Sequence, residues 1–401
     1  MQKQKCIIEN SMLRRHFLSS LAPAPRKRIA AIVTEYRWFS HADVICGRLL
    51  GGHSANNIWT PPRTNLVSLY TAQVPANDMS RDLAARHGFK IYPTIREALT
   101  LGTAKLAVEG VVFVGEHGNY PFNDLGQHLY PRFELFNEIL DVYEQSGHAV
   151  PTFFDKHFSY DWPKAEAMFR RARKLKVPLL AGSSLPVTSR APALQPKLET
   201  PITHAAAIGY GPLDAYSFHL LESLQCLVER RKGGETGIDQ VHTITNEAIW
   251  AWLPQNPWAR PLLDAAWALD PALQKGRTIE QTASKPVLFH LRYRDGLQAV
   301  ALMLTPSGND RTVALQTPAG VQTTLFGPPS VTRPLPHFDG LVHCIEDLIV
   351  TGREPYPPER TLLTTGALAL SFESIRTKQP VAAPGLNITY RAPATPFLQT
   401  A

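Results

Sequence analysis

Between Arg28 and Ala181, short apolar runs alternate with helix-like segments, and few folds accept that alternation. The runs are Arg28–Val33, Leu66–Thr71, Lys90–Tyr92, Val108–Val114, Pro151–Phe154 and Val177–Ala181. Between them His41–Leu50, Asn77–His87, Ile95–Leu101, Arg132–Gln145 and Trp162–Lys174 read as helices. Start and stop residues agree: Asn77 or Asp78 and Thr94 as N-caps, and Gly51-Gly52, Gly88 and Gly147 as stops. Asn57–Asn65 reads as a Pro-rich loop. Strands that alternate with helices need right-handed crossovers, so the pattern predicts a Rossmann-like, doubly wound parallel sheet of the α/β class.

A second region follows. Ser189–Pro201 is proline-rich and reads as a crossing into it. Ala215–Arg230 is amphipathic and helical. Strand-like runs come at Val241–Thr245, Val287–Arg294, Ala299–Leu304, Thr312–Gln316 and Val321–Leu325. Turn pairs Asp295-Gly296 and Ser307-Gly308 separate the later runs, which suggests an open antiparallel sheet. Helices Asp339–Thr351 and Glu359–Thr377 close the pattern. The expected division is an arm at 1–25, a Rossmann-like domain at 26–186 and an α+β domain at 187–401.

The chemistry is expected at Pro151–Trp162, PTFFDKHFSYDW. An apolar strand there ends on Asp155, Lys156 and His157, at the sheet edge where such folds bind ligands. Most charged tripeptides of this kind are solvated loops. Lys156 differs because it follows a buried strand directly: burial favours its neutral amine, while Asp155 favours the ammonium.

The element order and these motifs resemble the Gfo/Idh/MocA family of sugar-active, nicotinamide-dependent oxidoreductases. Asp155-Lys156-His157 stands where that family ends its fifth strand with Glu-Lys-Pro. Leu348–Pro355, Glu359-Arg360-Thr361 and Glu373–Thr377 resemble its last two helices. The resemblance implies a sugar or polyol substrate, Lys156 as acid/base, and NAD or NADP as cofactor. It also implies self-association through the face of the open sheet. The family's Asp-and-His helix is matched only at His219, since Ala215 stands in the aspartate's place and Asp214 is one residue off. Glu222 lies one turn beyond His219 and joins the candidate substrate contacts.

The cofactor turn departs from the family. Aligned on His41-Ala42, the glycine positions fall on Val33, Glu35 and Trp38. A carboxylate beside a diphosphate is repulsive by about 4 kcal/mol per charge pair at ~4 Å and an effective dielectric of ~20. At the end of the second strand Tyr70, Thr71 and Ala72 replace the acid that would hold the ribose. Thr34, Glu35, Tyr36, Arg37 and Thr71 are the candidate cofactor contacts, with NAD in a changed pose or abandoned altogether.

Other polar residues gather at strand ends. Glu35, Arg37, His41 and Asp43 follow the first strand, and Glu116, His117 and Asn119 the fourth; Tyr130 and Arg132 open the next helix. The candidate catalytic set is Lys156, His219, Asp155 and His157. The candidate substrate set is Glu116, His117, Tyr130, Arg132 and Glu222. No HxH or HExxH spacing supports a metal. Three functions compete: a sugar or polyol oxidoreductase, a lyase, hydrolase or epimerase working without NAD, and a non-catalytic carbohydrate-binding protein.

Composition removes other classes. The net charge is +7, but the basic residues are scattered, and Arg26-Lys27-Arg28 reads as a solvated lead-in, so no nucleic-acid partner is expected. The four cysteines show no CxxC spacing. No apolar run reaches membrane-spanning length. Leu13–Leu18, LRRHFL, resembles a twin-arginine export signal or belongs to a disordered basic arm, so a cytoplasmic or an exported location follows.

Overall fold

A computed structural model describes residues 25–270, 277–282, 284–304, 311–327 and 335–399. The expected N-terminal arm (all but its last residue) and the Ser307-Gly308 turn lie outside them. The first sheet is built from β1 (Lys27–Val33), β4 (Thr64–Thr71), β5 (Lys90–Ile91), β6 (Gly110–Val114), β7 (Thr152–Asp155) and β8 (Leu179–Gly182). Its order is β5-β4-β1-β6-β7-β8, and every pair is parallel. Successive side chains of a strand point to opposite faces. Ala30, Ile32, Val111, Phe113 and Phe154 therefore enter one core, against α3 (Ile95–Thr100), α4 (Arg132–Ser146) and α5 (Trp162–Lys174). Ile29, Ala31, Val33, Val112 and Phe153 enter the other, against α1 (His41–Gly51). The expected doubly wound sheet is present, with its switch point where β4 and β6 flank β1.

Local corrections have local causes. The Pro-rich stretch forms a hairpin, β2 (His53–Ala55) with β3 (Ile58–Thr60), before β4 begins. Helix α2 (Ser80–His87) starts later than Asn77, because Asp78 uses Oδ2 to accept from the Ser80 amide (3.1 Å) and hydroxyl (2.7 Å). That turn competes with a helical start.

The second sheet contains β9 (Arg190–Ala191), β10 (His204–Tyr210), β11 (Ile238–Thr245), β12 (Val287–Tyr293), β13 (Gln298–Leu304), β14 (Arg311–Thr317), β15 (Gly320–Phe326) and β16 (Val381–Ala382). Its order is β16-β11-β12-β13-β10-β14-β15-β9. The expected antiparallel sheet is a mixed one, since β10 pairs parallel with β13, Ala205 opposite Ala299. The sequence reading missed β10 because Ala205–Ala207 lacks the β-branched and aromatic residues that mark strands.

Helices cover both faces of this sheet. Helix α6 (Leu213–Val228) and the C-terminal α11 (Glu359–Thr377) pack on one. Three further helices, absent from the sequence reading, supply the other: α7 (Ala248–Trp252), α8 (Ala259–Trp267) and α9 (Ile279–Thr282). Ile249, Leu253, Leu262 and Leu263 there bury Ala206, Ile208, Leu288 and Leu302. The chain itself thus covers part of the face that was expected to take a second copy. Helix α10 (His337–Thr351) returns to the first sheet, placing Leu341, Ile345 and Leu348 in the core with α1.

Candidate functional site

The carboxyl ends of β1, β6 and β7 bring most of the candidate residues together. Asp155, Lys156 and His157 are all buried, so the tripeptide is not the solvated loop such runs usually form. Strand β8 holds it in place: the Lys156 amide donates to the Gly182 carbonyl at 3.1 Å. Lys156 (φ 71°) and His117 (φ 72°) both have left-handed backbone. Non-glycine residues rarely adopt it, and it concentrates at functional sites.

Lys156 Nζ lies 2.6 Å from His219 Nε2, which reaches across from α6. It also lies 3.7 Å from Glu116 Oε1 at the end of β6. Burial, then Lys156 and Arg311, push the His219 imidazole well below its ordinary range, so it is neutral. Its Nε2 accepts from Lys156, which leaves the proton on Nδ1. That atom is buried and has no hydrogen-bond partner. Ala215, one turn earlier on the same helix, has no side-chain acceptor to offer it.

Glu116 is the anionic counterweight. Burial alone would raise its carboxyl, but Lys156 and Arg132 together outweigh burial and hold it well below the usual carboxylate range. Arg132, at the start of α4, pairs with Glu116 through Nη2, donates to the Gly115 carbonyl through Nε (2.9 Å) and to His157 Nε2 through Nη1 (3.0 Å). Burial, then Arg132, keep His157 neutral. Burial, then His41, push His117 down to about 3.

His41, the first residue of α1, spans the crevice. Its Nδ1 donates to Asp155 Oδ2 at 2.7 Å, and its ring lies 5.4 Å from that of His117. Buried polar atoms without a partner recur around this cluster: Asp155 Oδ1, His157 Nδ1, His117 Nε2 and His219 Nδ1. Such groups cost stability unless something else satisfies them, which marks the cluster as a candidate site.

Not every candidate joins. Glu222 sits at i+3 from His219, about 60° further round the helix. Its carboxyl meets the Ser183 amide (3.3 Å) and the Thr364 hydroxyl (2.8 Å) instead. Tyr36 lies within the core beneath α1. Thr71 donates to the Gln73 carbonyl at 2.8 Å. Tyr130 does join the cluster, its ring stacked on Arg132 at 4.8 Å. The sequence reading grouped His41 with the strand-end residues that converge on the crevice, but left it out of the candidate site sets. It missed His337, whose Nδ1 lies 2.7 Å from Ser184 Oγ; no spacing signal marks that residue. Two open clefts of about 510 and 410 Å³ lie on the second sheet and its covering helices, away from Lys156. Among the described residues, no group of three or more His, Cys, Asp or Glu side chains is placed to hold a metal. No helix among them is long and apolar enough to cross a membrane.

The dinucleotide expected at the turn after β1 was tested against the residues present, and they do not fit it. Glu35 is buried and paired to Arg37 Nε at 2.5 Å. Trp38 and Phe39 stand where the backbone of a glycine turn would approach the diphosphate. The start of α1 is occupied by its own side chains. Ser40 Oγ accepts from the Asp43 amide at 3.3 Å, and Asp43 Oδ2 from the Phe39 amide at 3.0 Å.

Fold and crevice together define a class: a Rossmann-type sheet joined to a mixed sheet, with a buried lysine at the strand ends. No protein-family model and no curated protein matches the sequence. Solved structures match the fold. GenD2 from gentamicin A biosynthesis, in complex with NAD, superposes with a TM-score of 0.56 at 14% identity, covering 90% of this chain and 97% of its own. Myo-inositol 2-dehydrogenase from Lactobacillus plantarum gives 0.54 at 10%, covering 89% and 99%. The apo scyllo-inositol dehydrogenase from Lactobacillus casei gives 0.54 at 11%, covering 89% and 98%. At these identities the likeness is one of fold, and it matches the fold expected from the sequence.

Proposed function

We propose that the chain is an enzyme acting on a hydroxyl of a sugar or polyol, with Lys156 as the proton-transfer residue and His219 as its partner. The observation that carries this reading is the buried Lys156–His219 contact of 2.6 Å at the carboxyl edge of the sheet. A substrate hydroxyl proton passes to Nζ in its neutral amine form, and the neutral His219 holds Nζ in place by accepting from it at Nε2. Glu116 balances the charge, and Arg132 and His157 hold Glu116 and the Lys156 loop in register. Support for the substrate class comes from the fold neighbours, which include inositol dehydrogenases.

Their oxidoreductase chemistry is one form of the reading, and NAD or NADP belongs to that form. The turn after β1 favours the other form, a lyase, epimerase or hydrolase that needs no hydride acceptor. An assay separates them. Inositols, hexoses and their uronic acids are incubated with the full chain, with and without NAD(P), and followed by NMR. Product formed without dinucleotide selects the second form, and NAD(P)-dependent product the first. Lys156→Met should lower turnover by roughly 100-fold or more. Turnover within a few-fold of wild type removes Lys156 from the chemistry.

A further inference from the structure

The crevice at the switch point of the sheet is stitched across in three places, by backbone and side-chain groups the reaction above does not require. At the carboxyl end of β1, Thr34 is fastened on both sides: its amide donates to the Val114 carbonyl (3.1 Å), its hydroxyl to the Glu116 carbonyl (2.7 Å), and its own carbonyl accepts from the Gln73 amide (2.8 Å). Above that end, Gln73 and Asn119 form a reciprocal pair. Gln73 Nε2 donates to the Asn119 carbonyl at 3.2 Å, and the Asn119 amide donates to Gln73 Oε1 at 2.8 Å. This pair links the loop after β4 to the loop after β6, directly over β1. On the far side, His41 bridges from α1 to Asp155 at the end of β7.

A dinucleotide on a doubly wound sheet lies across the strand ends at this switch point. Its diphosphate rests on the first turn of the helix after β1, and its ribose meets an acid after the second strand. Here each of those places is taken. In the first turn of α1 the Asp43 amide is capped by Ser40, and the Asp43 carboxylate holds the Phe39 amide of the turn before it. The end of β4 carries Thr71, turned onto Gln73. The Gln73–Asn119 pair covers the ground between.

We infer that this chain has given up dinucleotide binding at the switch point, and that the His41–Asp155 and Gln73–Asn119 bridges now occupy the ground of the cofactor. The inference goes beyond the proposed function, which assigns proton transfer to Lys156 and leaves the acceptor open. It makes the crevice one for a single small ligand, with no second substrate to accommodate.

The test is direct. The full chain is purified without added nucleotide and denatured, and the released small molecules are read by mass spectrometry. Refreshed protein is then titrated with NAD, NADH, NADP and ADP-ribose by calorimetry. The expected result is no released nucleotide and no binding tighter than about 1 mM for any of the four. Released NAD(P), or a dissociation constant below that level for any of them, overturns the inference. ADP-ribose is included because it lacks nicotinamide: it would report a surviving diphosphate and ribose site even where the nicotinamide end is blocked. The outcome is independent of the Lys156 reading. Bound NAD would overturn the inference and leave Lys156–His219 standing, whereas an unaltered Lys156→Met enzyme would remove that reading and leave the binding result intact.

Discussion

Two buried polar clusters in this chain are built from similar side chains and treated in opposite ways. Around Glu229 and Glu235, in the second region, nearly every polar atom is satisfied. Arg360 grips Glu229 with Nε at 2.8 Å and Nη2 at 2.6 Å, and the Tyr390 hydroxyl adds a third bond at 2.9 Å. Arg231 pairs with Glu235 at 2.9 Å and Asp295 at 2.6 Å, while Gln225 joins Glu235 to the Tyr293 hydroxyl. Of the residues just named, only Arg360 has a buried atom without a partner among the described residues, its Nη1. Around Lys156 four such atoms remain, on Asp155, His157, His117 and His219. A saturated network locks one packing, and an under-satisfied one keeps bonding capacity for a ligand at a cost in stability. The contrast separates scaffold from site more sharply than burial does, since both clusters are buried.

The largest effect is expected in the scaffold cluster. Arg360→Leu strips Glu229 of its bidentate partner inside the protein, and breaking a buried pair in this way costs about 3–5 kcal/mol. Urea unfolding should show that loss, and a midpoint close to wild type would break the comparison. Glu222 comes next, since it sits between the clusters. Burial raises its carboxyl from 4.5 to about 7. Between those values the unfolded chain has released the proton and the folded chain has kept it, so stability falls as pH rises through this window. Glu222→Gln removes that slope and should gain about 3 kcal/mol over wild type above pH ~7. Parallel curves for the two proteins would show that Glu222 is ionised at no cost.

How much of this was legible in sequence divides along the same line. The first sheet was readable because each strand is an apolar run closed by a cap or a glycine, signals that act over a few residues. Lys156, Glu116, Arg132, His157 and His219 were readable as strand-end or motif positions, and the structure brings those five together. What escaped depends on long-range pairing. The His41–Asp155 bond joins residues 114 apart in the chain, and no local spacing encodes it. Strand β10 escaped because alanine marks neither a strand nor a helix when it is chosen for thinness. A Cβ added at Gly209 would lie 3.1 Å from the Leu220 side chain, which shows how closely α6 approaches this strand. The covering helices α7 and α8 were hidden by the prolines and tryptophans of the 248–267 stretch, which break the helical period, and α9 is only one turn long.

The imidazoles sharpen the comparison on the acid side. Burial pushes His117 and His337 down to about 3, next helped by His41 for the first and by Arg311 for the second. Below their unfolded value of 6.5, the unfolded chain takes up protons that these folded rings refuse. Their contribution is therefore complete above that value and is lost progressively as pH falls from it toward about 3. Between pH ~7 and ~6 the two rings should together lose about 1–2 kcal/mol. Thermal melts of wild type against the His117→Gln, His337→Gln double variant test this: the variant should lose less stability on acidification, and an equal loss would place the acid-sensitive groups elsewhere.

The smallest effect on stability is expected at the residue assigned the largest role in turnover. Lys156→Met keeps the length and apolar stem of the side chain. Glu116 keeps Arg132 as its partner, so no carboxylate is left buried alone. His219 loses the donor to Nε2, a single hydrogen bond worth about 1 kcal/mol, and the methionine regains part of that by burying a stem that carries no charge. The left-handed backbone at Lys156 is unchanged, because Met meets the same steric limits there. The sum should leave stability within about 1 kcal/mol of wild type, against the several lost at Arg360. Urea unfolding of the two variants side by side tests the contrast directly. Were Lys156→Met to destabilise the fold as much as Arg360→Leu, Lys156 would belong to the scaffold, anchoring the end of β7 through Glu116, and the unpartnered atoms around it would no longer distinguish a site.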